Sequence, residues 1–257
     1  EDIHLNIQIP AGIPAIKIET TSGELRIQGI ETQQLEARCF SGDLRIEDVA
    51  CKKFSGKTQS GDVEVSGIAM KREEDTEIEI QTTSGDLEAQ EISAASVRLQ
   101  TASGDVSVER LRAGRLKIQT ASGEQELEDI ICDRADLRTG SGDIDAGNIQ
   151  GREVSAMAGS GEVELEADME SYDVKTGSGD IDLEPGARAR EIRMIAGSGE
   201  ICLDLGRIAG ASIVSRTGSG DMKIRGYEVS GRTYNTSYGS GACRVSLATG
   251  SGDITVE

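Results

Sequence analysis

The stretch QTASGDVSVERLRAGRLKIQTASGE, residues 100–124, contains the string T-A-S-G followed by an acid twice, 19 residues apart. The same Ser-Gly-acid triplet recurs along the whole chain, most often at spacings of 18–21 residues. A period of this length is typical of a solenoid, in which each repeat buries its apolar face only by stacking on its neighbours. The triplet begins at Ser22, Ser41, Ser60, Ser84, Ser103, Ser122, Ser141, Ser160, Ser178, Ser198, Ser219 and Ser251, with a variant, SGA, at Ser240.

Apolar residues alternate with polar ones on both sides of each triplet. Counted from the motif serine, they fall at −6 and −4 and then at +3, +5 and +8, as in Val97, Leu99, Val106, Val108 and Leu111. A period of 2 predicts two short strands per repeat, each with one buried face. The pattern therefore predicts an all-β fold, a single-stranded parallel β-helix (β-solenoid) with about 19–21 residues per coil and about 12 coils.

The glycine of each triplet is expected at the corner between the two strands, because glycine adopts the positive φ angle that a tight corner needs. The following acid is expected to cap its own corner by accepting hydrogen bonds from backbone amides or the serine hydroxyl. Stacking of the coils would align these residues. The predicted structural turn ladder consists of Gly85, Asp86, Gly104, Asp105, Gly123, Glu124, Gly142, Asp143, Gly179, Asp180, Gly220 and Asp221.

The composition and the spacings predict how the chain is organised. With 36% hydrophobic residues, 2% aromatic residues and no Trp, the interior is expected to be thin and aliphatic. We expect one β-solenoid domain over 1–257, with an N-terminal cap at 1–15, where Pro10 and Pro14 interrupt any ladder. Regular coils are expected over 16–239, with a loop insertion near 69–76. The final spacing of 11 residues indicates a C-terminal cap or hairpin at 240–257.

The formal net charge of −19 disfavours nucleic acid and anionic membrane surfaces as partners. No signal peptide or membrane-spanning run is evident, so direct membrane insertion is not expected. The chain starts EDIHLN without a methionine, as expected if a leader or another N-terminal segment has been removed, and the sequence does not decide between these alternatives and an unprocessed start.

The charges also separate by position within the repeat, which predicts one acidic and one mixed to basic face suited to protein partners. Outward positions after the motif carry Glu64, Glu88, Glu109, Glu126, Glu128, Asp145, Glu164, Glu166, Asp182, Glu184 and Asp204. Outward positions before the motif carry Lys17, Arg38, Lys57, Arg98, Lys117, Arg138, Lys175, Arg193 and Arg216.

The five cysteines lack CxxC or Cys-His spacing, and we expect reduced, partly buried thiols. Such thiols favour the cytoplasm. The single histidine, His4, lies in the expected cap, so the sequence offers no residues for a histidine-based catalytic triad. No catalytic, cofactor-binding or metal-binding residue is predicted. A calcium ladder along the acidic corner is the alternative for cofactors, although the nine-residue period of calcium-binding β-rolls is missing.

Strands joined by T-x-SGD corners, as in KIQTASGE (117–124), LRTGSGDID (137–145), VKTGSGDIDL (174–183) and LATGSGDITVE (247–257), resemble the bacterial toast-rack domain family of unknown function, which also carries an adhesin label. The resemblance covers nearly the whole chain. It implies a β-helix, no established catalytic residues, and association with envelope-stress systems as a non-catalytic module.

Together these observations favour a non-enzymatic interaction or scaffold domain that binds protein partners in bacterial envelope-stress signalling. One alternative is a self-assembling scaffold that associates through its end coils, or a surface adhesin. Another is a carbohydrate-binding or carbohydrate-active β-helix, for which Tyr227, Tyr234 and Tyr238 form the one cluster of aromatics. We expect the domain in the cytoplasm or associated with the cell envelope, with the cell surface as the alternative.

Overall fold

Each repeat forms one coil whose strands pair in parallel with the coils on either side. The computed structural model describes residues 7–10, 12–68 and 76–257, and this part of the chain contains 22 strands in one continuous sheet and no helix. The prediction of a parallel β-solenoid is confirmed. The strands are β1 Ala15–Ser22, β2 Leu25–Gln28, β3 Gln34–Ser41, β4 Leu44–Val49, β5 Lys53–Ser60, β6 Val63–Ile68, β7 Glu77–Ser84, β8 Leu87–Ser103, β9 Val106–Ser122, β10 Gln125–Ser141, β11 Ile144–Ser160, β12 Val163–Asp168, β13 Ser171–Ser178, β14 Ile181–Pro185, β15 Glu191–Ser198, β16 Ile201–Leu203, β17 Ala211–Ser219, β18 Met222–Ile224, β19 Tyr227–Val229, β20 Thr233–Tyr238, β21 Cys243–Ser251 and β22 Ile254–Val256.

The motif serines stack in register and fix the alignment of every coil. Ser103 pairs with Ser84 on one side and with Ser122 on the other, and the same relation continues to both ends. Because the side-chain period of a strand is 2, this register keeps every inward position on the inside of its neighbour. Twelve triplets stack in this way, and the SGA copy at Ser240 is not among them.

Each regular coil has a third short side that simple alternation does not reveal. Residues at +7, such as Glu91, Arg110 and Asp129, have φ angles of 52–56°. This left-handed conformation bends the chain and turns the +8 and +10 side chains inward again. Residues +8 to +10 then pair between coils, as Ile130 does with Ile149. The two strands predicted per repeat are therefore three segments in the central coils.

The interior is a narrow column made mainly of Val, Ile, Leu and Ala, and it also holds two large rings, those of Phe54 and Tyr172. The ring of Phe54 is buried next to Gly56. A Cβ at position 56 would lie 2.8 Å from that ring, so only glycine leaves space for it. Tyr172 is buried because its hydroxyl donates to the Ala167 carbonyl at 2.5 Å and accepts from the Met169 amide at 2.8 Å. These contacts satisfy the only polar group of the ring.

The C-terminal part differs from the expected cap or hairpin at 240–257. The strands β21 and β22 form a complete coil that lies between β15–β16 and β17–β18, not at the end of the stack. The end is closed by β20 and β19, which pair antiparallel with β17 and β18. Tyr234 and Tyr238 belong to this closing segment, where their half-buried side chains pack against the core at its open end.

The predicted N-terminal cap and loop insertion fall partly outside the described residues. Residues 1–6, which include His4, and residues 69–75 of the insertion are among those not described. Ile13 and Pro14 extend the first coil, since their carbonyls accept hydrogen bonds from the Thr32 hydroxyl at 2.8 Å and the Gln34 amide at 3.1 Å.

Candidate functional site

The glycines of the predicted turn ladder lie at successive corners of the stack, and their backbone cannot accommodate a side chain. Gly104 has a φ of +138°, and a Cβ there would lie 2.1 Å from the carbonyl oxygen of Gly85 in the preceding coil. The same close approach recurs at Gly85, Gly123, Gly142, Gly179 and Gly220. Glycine is thus required both for its conformation and for the distance between coils.

The inward threonines bind the corner of the preceding coil. The Thr101 hydroxyl donates to the Gly85 carbonyl at 3.3 Å, and the Thr139 hydroxyl donates to the Gly123 carbonyl at 3.2 Å. The corner carbonyl points into the coil and has no strand partner there, so the buried hydroxyl satisfies it. Thr120 is an exception, because it bonds the carbonyl of its own corner and accepts from the buried amide of Gln125.

The corner aspartates bind the next coil and not their own corner, contrary to our expectation. Asp86 Oδ1 accepts from the backbone N–H of Asp105 at 2.9 Å, and Asp105 Oδ1 accepts from the N–H of Glu124 at 2.8 Å. The ladder of acids is thus a ladder of hydrogen bonds between coils. Seven corner aspartates make this bond: Asp43, Asp62, Asp86, Asp105, Asp143, Asp180 and Asp253.

Glutamate interrupts the ladder wherever it replaces aspartate. Within the described corners, Glu24, Glu124, Glu162 and Glu200 accept no bond from the amide of the next coil, although each has such a neighbour. The extra methylene carries the carboxylate beyond the amide that aspartate reaches. Sequence reasoning treated the two acids as equivalent, and side-chain length was the signal that could have separated them.

An acidic face runs along the side of the solenoid that directly follows the Ser-Gly-acid corner, which we call the second side; the first side directly precedes that corner. The acidic face extends from β10 to the residue that follows β16. It consists of the exposed side chains of Glu126, Glu128, Asp145, Glu164, Glu166, Asp182, Glu184 and Asp204. Glu126, Asp145, Glu164 and Asp182 are direct register partners in four successive coils. Neighbouring carboxylates therefore stand roughly one strand spacing apart, about 4.8 Å.

This crowding changes the ionisation of the carboxyl groups. The negative charge of Asp145 raises the pKa of Glu164, and partial burial and Asp182 add to the effect. Burial raises the pKa of Asp182, with further contributions from Asp204 and Glu200. Burial likewise raises the pKa of Glu124 at the corner, followed by repulsion from its neighbours in the ladder. The face thus holds more negative charge than its local counter-ions offset.

The opposite, first side of the solenoid carries both signs of charge and largely neutralises itself. Asp136 lies between Arg138 at 2.7 Å and Lys117 at 3.9 Å. Within β13, Lys175 pairs with Asp173 at 2.6 Å. Amide side chains also stack there, with Gln81 donating to Gln100 at 2.7 Å and Gln100 donating to Gln119 at 2.9 Å.

The thiols are not arranged for redox or nucleophilic chemistry. All five cysteines are free. Burial raises the pKa of Cys51 to about 11 and that of Cys132 to about 12. Cys202 faces outward but is half-buried, and burial together with Glu200 raises its pKa to about 12. Thiols with these pKa values stay protonated near neutral pH and are poor nucleophiles.

The tyrosine cluster at the C-terminal end is committed to the cap. The Tyr238 hydroxyl donates to the Ile208 carbonyl at 3.2 Å, and the Arg225 guanidinium lies 3.9 Å from the centre of its ring. Tyr227 is the exposed member, with 76% of its surface accessible. Within the described part of the chain, no three His, Cys, Asp or Glu side chains converge as metal ligands.

The family comparison agrees with the architecture. The sequence model of the family "Toastrack DUF4097" matches residues 1–74 and 72–257, which together span the chain. The chain belongs to the toast-rack family. No curated protein and no solved structure matches it. Over the residues described for this toast-rack domain, there is no helix with the length and apolar character needed to cross a membrane.

Proposed function

We propose that this toast-rack domain is a non-catalytic binding module whose acidic face docks a basic surface of another protein. The observation that carries the proposal is the column Glu126, Asp145, Glu164 and Asp182, in which Asp145 and Glu164 have an acidic residue as register partner on both sides. Charge of one sign on a flat, regular surface attracts partners of the opposite sign and orients them during encounter.

The energetics of the column support a charged partner. Two unit charges about 4.8 Å apart repel by about 0.9 kcal/mol in bulk water. A lysine or arginine placed between two such carboxylates replaces this repulsion with attraction, while the self-neutralised first side offers no comparable gain. Since exposed charges are screened over about 8 Å at physiological salt, the interaction is expected to weaken as salt is added.

We propose no catalytic role for the acidic face because its acids resemble one another closely. Acid–base hydrolysis needs two carboxyl groups with different environments and roles. The acids of the face are stacked copies with the same orientation and similar exposure. The biological setting that we propose, envelope-stress signalling, rests on the resemblance of the T-x-SGD corners to the toast-rack family.

The experiment combines partner capture with mapping of the contact. The domain is used to capture proteins from its native cell, and carbodiimide then couples its carboxylates to lysines that contact them. The test variant carries Glu126→Gln, Asp145→Asn and Glu164→Gln, which neutralises the centre of the acidic face. We expect a specific partner, cross-links on the acidic face, and loss of capture in this variant.

A control variant changes the net charge equally at another place. Glu153→Gln, Glu170→Gln and Glu191→Gln remove three carboxylates near the start of the first side of their coils, where each lies beside an arginine. This variant should retain the partner. Equal loss in both variants, or capture that does not change between low and high salt, would refute docking by the acidic face.

A further inference from the structure

The C-terminal coil occupies a position that its place in the sequence does not predict. The strands β15–β16 and β17–β18 are consecutive along the chain, yet β21–β22 separates them in space. Ser251 pairs with Ser198 on one side and with Ser219 on the other. Residues 243–257 therefore fill a slot between two coils, which we call the C-terminal slot.

The C-terminal slot holds its coil by the same kinds of hydrogen bond that join other coils of this chain. On one wall, the Thr249 hydroxyl donates to the Gly199 carbonyl at 3.0 Å. On the other wall, the Thr217 hydroxyl donates to the Gly252 carbonyl at 3.0 Å, and Asp253 Oδ1 accepts from the Asp221 amide at 2.7 Å. The inward aliphatic side chains of the inserted coil are buried against both walls.

A short connection joins the inserted coil to the strand that precedes it in the chain. Residues 239–242, Gly-Ser-Gly-Ala, link it to β20, and Gly239 and Gly241 have φ angles of 57° and 64°. Residues 243–257 contact the two walls of the slot through strand pairing and side-chain packing. Glycines with positive φ can change conformation at little cost, so the link can direct the coil into its own slot or away from it.

We propose that the C-terminal slot is a binding site for a T-x-SGD coil, filled by residues 243–257 of the same chain and equally by the same segment of a second copy. Exchange between two copies creates no new contact, because each slot receives an identical segment. The balance between the two states is then set by the local concentration of the tethered segment against the concentration of the second copy. This inference is independent of the proposed docking to the acidic face.

A pair of residues across the slot wall allows exchange to be read directly. Cys202 and Thr255 are register partners, and both side chains lie 3.4 Å from Glu200 Oε1. Adjacent coils place Cα atoms about 4.8 Å apart, within the range of about 4.4–6.8 Å that disulfides require. Lys223 pairs with Thr255 on its far side and so stands two coils from Cys202, beyond disulfide reach.

The experiment refolds two full-length chains together over a range of concentrations and oxidises them with copper phenanthroline. One chain is tagged and carries Thr255→Cys with Cys202→Ser, so that its new thiol has Cys202 as an adjacent partner only in the other chain. The second chain is otherwise wild type. We expect a covalent heterodimer whose fraction rises with concentration and disappears on reduction.

The matched control carries Lys223→Cys with Cys202→Ser in the tagged chain. It presents a new thiol in the next coil at a position more exposed than Thr255, and it should still give several-fold less heterodimer because that position is distant from Cys202. Equal linkage of the two variants would show random surface oxidation and overturn the proposal. Thr255→Cys in a chain that keeps Cys202 should form the intramolecular disulfide under the same oxidation, which shows that Cys202 can react; the absence of heterodimer at every concentration would then overturn the proposal as well.

Discussion

Exchanging aspartate and glutamate at the corner should change stability through one hydrogen bond while leaving the charge in place. Glu124 lies in the turn ladder but accepts no bond from the Asp143 amide of the next coil, whereas Asp143 accepts from the Glu162 amide at 2.8 Å. Glu124→Asp should create the missing bond. Asp143→Glu should remove an existing one.

The expected magnitude follows from the type of bond and its exposure. A hydrogen bond to a charged group contributes about 1.5–3 kcal/mol. The corner is exposed, so we expect about 1 kcal/mol in each direction. For a chain of 257 residues, this corresponds to a melting-temperature shift of roughly 2–4 °C. The Coulomb repulsion along the ladder changes little, because both side chains are ionised.

Amide hydrogen exchange provides the local assay, since a solenoid can open in parts rather than all at once. Glu124→Asp should slow exchange of the Asp143 amide by about fivefold, which corresponds to about 1 kcal/mol. Glu126→Asp, on the acidic face and away from the corner amides, is the control and should leave that amide unchanged. Asp143→Asn keeps the acceptor oxygen without the charge and should preserve protection at the next coil. If Glu124→Asp and Glu126→Asp behave alike, the interpretation of the ladder as inter-coil hydrogen bonds is refuted.

Three further predictions concern charge, close approach and backbone conformation. Glu164→Gln should be more stable than the wild type at pH 7, because the raised pKa of Glu164 shows that the folded state disfavours its ionised carboxyl. This advantage should shrink in thermal melts as the pH falls through that pKa. A difference in stability that stays constant with pH would contradict the prediction. Gly104→Ala should destabilise by about 2–4 kcal/mol in urea unfolding, while Gly147→Ala, where a Cβ meets nothing within 4 Å, should be neutral or slightly stabilising; equal effects would exclude the clash. Glu91→Gly should stabilise by about 0.5–1 kcal/mol because Glu91 has a φ of 52°, whereas Glu88→Gly within the same strand should destabilise, and the same sign for both would argue against strain at the bend.

The repeat explains why much of the fold is readable from the sequence. An inward residue such as Val106 pairs with Gln125 of the next coil, which occupies the same place in the repeat, so one pattern fixes the inner side of the solenoid many times over. The bend at +7 was not predicted, because the residues there include acids, arginine and asparagine with no common side chain. Only their backbone angles, as at Arg110, reveal the bend.

The acidic face was visible in the sequence, but its interactions were not. Spacing placed Glu164 and Asp182 on one side of the coil, since outward positions recur with the repeat. The raised pKa values depend on how far each carboxylate is buried among its neighbours, and this depends on the stacked coils. The acceptor role of Asp105 toward the next coil also requires the tertiary structure, because the amide that it binds belongs to a residue 19 positions away.

The sequence by itself determined which residue types occupy each part of a coil: glycine at the corner, threonine inside it, aliphatic residues along the inner sides and charge outside. Each of these choices answers a local requirement of φ angle, volume or solvation, and the repeat presents it again in every coil. The tertiary structure alone decided the order of the last coils. Because β17–β18 and β21–β22 carry the same T-x-SGD corner, either could stack on β15–β16 with the same bonds. In the observed order β19 and β20 pair antiparallel with β18 and β17 and so cover strand edges that would otherwise stay unpaired at the open end.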